Sequence, residues 1–203
     1  MGLFPALFGP SKEEIWRRLA YEVQGQFVEG GFLKPDKVMV QVDHWIITLD
    51  TYVVSTGKSA ATFTRMRAPY VNPDNFRFTI YPEGLFTQIG RLFGMDDIKI
   101  GDPPFDDHFV IKGNDEAKVR MLFNDPTLKS LLLVQPTIYF EVKDDEGWFR
   151  TPFPQGVDEL CFHRGGIMKD LTELHALFDL FACTLRRLCR MGSAYEDDPQ
   201  VSL

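Results

Sequence analysis

The 203-residue chain carries 22 Lys and Arg against 29 Asp and Glu, a net charge of -7. That balance speaks against a nucleic-acid binder, whose affinity depends on clustered cations. Apolar residues at 44%, with 18 Phe among them, can fill a sizeable core and so exclude wholesale disorder.

Residues 1–10 form an apolar arm in which Leu3, Phe4, Leu7 and Phe8 cluster around Pro5. The arm lacks a basic start and makes a poor signal peptide. It is expected to dock on the domain or on a neighbouring subunit, with membrane contact through residues 1–8 as the lesser alternative. Ser11 and Glu14 form a capping box. Ile15, Trp16, Leu19, Ala20, Val23 and Phe27 follow at helical spacing, which predicts a helix ending at Gly30 and Gly31.

The next stretch alternates with a period of two. Val38, Val40 and Val42 belong to one predicted strand, and Trp45, Ile47, Leu49, Thr51 and Val53 to another, with Asp43-His44 as a turn or a bulge between them. Residues 60–66 and 76–81 read as further strands, divided by Pro69 and Asn72-Pro73-Asp74-Asn75. Residues 82–93 read as a short helix and 98–100 as a short strand. A strand over 108–112, a helix capped by Asn114 and a helical turn opened by Asp125-Pro126 follow. Residues 137–143 alternate strictly before a hairpin turn into Trp148-Phe149, and 158–163 make the last strand. Asp170 and Glu173 then start a long amphipathic helix that buries Leu171, Leu174, Phe178, Phe181, Leu185 and Leu188. Residues 193–203 read as an acidic frayed tail. The prediction is a single α+β domain over 11–192, a mostly antiparallel sheet packed against N-terminal and C-terminal amphipathic helices with short mid-chain helices, and a possible seam between two lobes near 94–104.

Three cysteines, Cys161, Cys183 and Cys189, form no C-x-x-C pair and suit reduced thiols in a cytoplasm. No apolar run approaches the ~18 residues that a membrane span needs. Asp106, Asp107 and His108, with Asp102 nearby, are the densest polar cluster; carboxylates and an imidazole so close could bind a divalent metal, with His163 as a further candidate ligand. They match no named metal motif, and Asp also suits a Pro-rich turn entering a strand. Cys161 and His163 lie two apart on one strand and therefore share a face. A nucleophilic pair would further need an orienting group and an oxyanion hole, which the sequence does not identify. Arg65, Arg67 and Arg77 place cations on neighbouring strands near Asp50 and Tyr52, either a surface for an acidic ligand or a solvated face with cross-strand pairs.

Phe105-Asp106, the strand Phe109-Val110-Ile111, then Asp115-Glu116, Val119-Arg120, Leu122 and Leu128 resemble an uncharacterised bacterial domain family of unknown function. The likeness covers roughly residues 101–142. It implies a bacterial α+β protein without an assigned activity, so no functional residue is carried over from it. With no nucleotide loop, metal framework or nucleophile constellation, the sequence favours a non-enzymatic binding or scaffolding protein of the bacterial cytoplasm, needing no cofactor and engaging a protein partner or a second copy of itself. A metal-dependent hydrolase centred on Asp106, Asp107 and His108 is the alternative.

Overall fold

A computed structural model of the chain describes residues 9–31, 34–55, 57, 59–84, 97–135, 137–144, 153–201 and 203. The apolar arm through Phe8, most of the helix expected over 82–93 and the hairpin into Trp148 and Phe149 lie outside those residues.

Helix α1 (Lys12–Glu22) begins at the anticipated capping box: the Ser11 hydroxyl accepts from the Glu14 amide, and the Glu14 carboxylate accepts from the Ser11 amide. It stops earlier than periodicity suggests. Gln24 turns left-handed at φ 54°, and its amide and that of Gly25 reach back to the Tyr21 and Ala20 carbonyls, a Schellman ending. Phe27, placed by spacing on the helix, belongs instead to a short strand, β1 (Gln26–Val28). Gly25 is required there because a Cβ would stand 2.6 Å from the Met39 carbonyl oxygen.

Strands β2 (Lys37–Val42) and β3 (Trp45–Ser55) are joined by the tight turn at Asp43-His44, with Asp43 at φ 50°. β4 (Ala60–Val71) runs on through Pro69 rather than breaking there. Its pairing with β3 ends at Thr48↔Arg67, so Pro69 is paired on one side only, a position where a sheet tolerates proline. β5 (Phe78–Pro82), the short helix α2 (Pro103–Asp106) and β6 (Phe109–Gly113) come next; residues 98–100, where a short strand was expected, form none, and Asp97 just before them makes an isolated bridge to Lys112. Helices α3 (Glu116–Phe123) and α4 (Pro126–Leu133) are capped by Asp115 and Asp125, the first one residue later than anticipated. β7 (Tyr139–Lys143), β8 (Val157–Gly165) and α5 (Leu171–Arg190) complete the chain, α5 starting at the Asp170 cap.

The fold is α+β. Among the described residues, eight strands form one antiparallel sheet in the order β1-β2-β3-β4-β8-β7-β5-β6. One face holds the apolar alternates, including Leu49, Met66, Phe78, Phe140, Leu160 and Phe162, which share a core with Trp16 and Leu19 of α1 and Leu177, Phe181 and Leu185 of α5. The Phe140 and Phe181 rings meet edge to face at 5.3 Å. Trp16 fixes α1 by donating its indole N–H to the Met168 carbonyl. Among the described residues, no helix is long and apolar enough to cross a membrane.

Candidate functional site: a buried charged layer on the helix-free face

Because side chains alternate along a strand, the residues between those core positions lie on the opposite face, which is helix-free among the described residues. On the four central strands they are Thr48, Asp50 and Tyr52 of β3, Arg65 and Arg67 of β4, Glu159, Cys161 and His163 of β8, and Tyr139, Glu141 and Lys143 of β7. The register brings them together: Asp50 pairs with Arg65, Arg65 with His163, His163 with Tyr139, Arg67 with Cys161, Cys161 with Glu141, and Glu159 with Lys143.

This face is polar, yet its charges are not solvated. Asp50 is 4% exposed, Arg65 6%, Arg67 4% and Glu159 0%. The Asp50 carboxylate accepts two bonds from Arg65, at 2.9 and 2.8 Å, and one from Arg67 at 2.7 Å. Burial works against the charge on Arg65, but the Asp50 bonds outweigh it and raise its pKa; at Arg67 burial prevails and lowers it. Glu159 is less well served. Lys143 Nζ lies 3.3 Å and Arg67 Nη1 4.0 Å from its oxygens, and neither oxygen has a hydrogen bond. Burial raises the pKa of Glu159 despite the pull of Lys143 and Arg67, and burial raises that of Glu141 too. A wholly buried carboxylate whose nearest cations stand off at 3.3 and 4.0 Å is uncommon, and perturbed carboxyl groups cluster at functional sites.

Cys161 and His163 do meet, with Sγ 3.0 Å from Nε2, and the other ring nitrogen lies 3.1 Å from the Tyr52 hydroxyl. The line Cys161–His163–Tyr52 has the connectivity of a nucleophile, a base and an orienting group. Its electrostatics run the other way. Burial pushes the Cys161 thiol well above its ordinary value, reinforced by Glu159, and Cys161 has no exposed surface. Burial, with Lys143 and Arg65 adding to it, lowers His163 to about 3. A neutral thiol beside a neutral imidazole is a poor nucleophile. Aromatic rings extend the layer: Tyr52 stacks on Phe63 and lies under the Arg65 guanidinium, and Tyr139 sits between His163 and Tyr81.

The other residues singled out from sequence lie elsewhere. Arg77 forms a two-point pair with Asp158 and reaches Asp144 at 2.7 Å. Asp158 alternates with Glu159 and faces the helix side, so Arg77 does not join Arg65 and Arg67. Asp106 spends its carboxylate on the amides of Ile100, Gly101 and Asp102, the Asp-centred turn that the Pro-rich stretch suggested. Asp107 and His108 are exposed, and His108 lies three strands from His163, roughly 14 Å at the usual strand spacing. Among the described residues no group of three or more His, Cys, Asp or Glu could hold a metal ion, so the hydrolase alternative has no ligand set to rest on. Leu3, Phe4, Leu7 and Phe8 lie outside the described residues.

Sequence reasoning did not single out Glu141, Lys143 or Glu159 as members of a site. The strict alternation of 137–143 placed Glu141 and Lys143 on one face, but that β7 and β4 both flank β8 is a long-range fact absent from local pattern.

No protein-family model matches the chain, and no curated protein matches it either. The likeness read from residues 101–142 therefore gains no support from a family model. Among solved structures, the crystal structure of the mycobacterial trehalose monomycolate transport factor A is similar, with a TM-score of 0.50 at 10% identity, covering 87% of this chain and 95% of that one. At that identity the similarity is one of fold.

Proposed function

We propose that this chain is a non-catalytic binding protein for a small molecule, and that the helix-free face of the sheet is its binding face. The observation that carries the proposal is Glu159, a carboxylate wholly removed from water whose only close cations, among the described residues, are Lys143 at 3.3 Å and Arg67 at 4.0 Å. A layer needed only for stability does better with apolar side chains, since removing charges from water costs several kcal/mol per ion, on the order of what their pairing returns. Binding is favoured over catalysis because Cys161 and His163, although in contact, are both held neutral, a poor arrangement for a nucleophile and its base. The mycobacterial protein of similar fold is named a trehalose monomycolate transport factor, and a non-catalytic role for this chain is in keeping with that fold. Three free cysteines suit a reducing cytoplasm, which is where we place the activity.

Titrating the isotope-labelled protein with a panel of small polar fragments, and reading amide and side-chain shifts by NMR, tests this. The expected shifts centre on Asp50, Arg67, Glu159 and Lys143. Shifts confined to the helix layer, or none across the panel, would overturn the proposal.

A further inference from the structure

Strand β3 outruns one of its neighbours. Its pairing with β4 continues to Ser55↔Ala60, whereas its pairing with β2 ends at Val38↔Leu49. Residues 34–36 do not extend β2: Pro35 has no amide to donate, and Asp36 turns its carboxylate to the Gly30 amide and to Lys12. Among the described residues, the outer edge of β3 from Asp50 to Ser55 therefore has no strand beside it.

This edge is also undefended. Proteins usually guard an open edge with lysine, proline or a bulge. Thr51-Tyr52-Val53-Val54-Ser55 has neither charge nor proline, and its residue types favour strands. Val53 is 62% exposed and Val54 41%, with Ser55 exposed beside them. Successive residues point to opposite sides, so apolar side chains stand open on both faces of the projecting edge.

We propose that this edge joins two copies of the chain, as antiparallel strands about a two-fold axis at Val53. The segment itself specifies a second copy as the occupant. Such an axis places each residue opposite one whose side chain lies on the same face. It sets Val53 against its own counterpart and Thr51 against Ser55 on the helix side, and Tyr52 against Val54 on the charged side. Every pair is uncharged, and an aromatic ring beside a β-branched residue, or one hydroxyl beside another, is a favourable cross-strand partner. In a chain of net charge -7, an uncharged edge is where two copies approach with little repulsion. The register also fits the space. Ser55 of one copy stops opposite Thr51 of the other, before Leu49, where β2 takes over the edge. The ladder gives the outward amides and carbonyls partners, which apolar contact alone does not.

Sedimentation equilibrium of the full chain tests this. A ladder this short is smaller than the roughly 20–30 residues a side of a standard interface, so the dimer is weak and appears at about 0.1–1 mM chain. Val53→Lys and Val53→Glu each put like charges directly opposite one another across the axis, at a residue exposed enough for the fold to be retained. Each alone should weaken association roughly tenfold or more, while an equimolar mixture of the two should recover a heterodimer that weakens with salt. Tyr21→Lys, on α1 and 86% exposed, removes an apolar group elsewhere and should leave association unchanged. A chain that stays monomeric to 1 mM, a dimer indifferent to Val53→Lys, a mixture that stays monomeric, or a dimer lost in Tyr21→Lys would overturn the proposal.

Discussion

The two faces of one sheet reach burial by opposite chemistry. Met66, Ala68 and Tyr70 of β4 pack toward the helices, while Arg65 and Arg67 on the same strand are buried on the other side and paired there with Asp50. Phe140 and Val142 of β7 alternate with Glu141 and Lys143, and Leu160 and Phe162 of β8 with Glu159, Cys161 and His163. The helix side is a packed core whose members replace one another at modest cost when volume is kept. The charged side depends on each partner being present, because a buried charge left alone is paid for in full. Specificity for a bound molecule has a physical foothold on the second face and none on the first.

Truncations on the two faces should cost similar amounts for different reasons. Phe140→Ala removes a ring from the core and should destabilise by about 3–5 kcal/mol in denaturant unfolding. Asp50→Ala should cost about as much, roughly 3–5 kcal/mol, because it takes the shared carboxylate out of a buried ion network. The faces separate on conservative replacement: Phe140→Leu recovers most of the loss, whereas Asp50→Leu recovers little. Equal recovery at both sites would contradict the distinction.

Acid sharpens the comparison. The His163 pKa is depressed to about 3 in the folded chain, so the unfolded chain takes up its proton first. That contribution is fully present above pH 6.5 and is lost as pH falls from about 6.5 toward 3, by at most about 1.4 kcal/mol per unit. Glu159 and Glu141, raised by burial, act in the opposite sense: the unfolded chain releases their protons first, so their contribution declines as pH rises through the ordinary carboxyl range. The slope lost on going from wild type to His163→Leu therefore isolates the histidine. Identical slopes in the two proteins would place His163 in a solvated setting.

The smallest effect concerns reactivity rather than stability. In native protein a thiol reagent should leave Cys161 unmodified while Cys183 and Cys189, only partly buried, react; all three should react in denaturant. Native labelling of Cys161 would reopen the nucleophile reading, which its burial now closes.

What the sequence disclosed was local. The Ser11–Glu14 box, the Asp125 and Asp170 caps and the apolar stripe of α5 all appear where spacing placed them, and of the turn or bulge open at Asp43-His44 the turn is formed. The end of α1 was misread because Gln24 adopts the left-handed turn usually left to glycine, and β4 was cut short because Pro69 sits where a neighbouring strand has already ended. Arg65, Arg67 and His163 were visible as candidates. Their convergence with Glu159 and Lys143 was not, since it depends on β8 inserting between β4 and β7, a pairing over long sequence distances. Strict alternation also suggests one dry and one wet face, and nothing in a strand pattern announces that the polar side is buried as well.

The central claim is that charge is kept on the helix-free face for binding and not for folding. The most direct measurement compares wild type with the combined Asp50→Leu, Arg65→Met, Arg67→Met variant, reading unfolding free energy and the NMR response to the same polar fragments. The account predicts stability retained or increased, since well-packed apolar replacements of a buried ion network are commonly neutral or better by about 1–4 kcal/mol, together with loss of the fragment response around Glu159. A variant that is strongly destabilised yet still binds the fragments would contradict it.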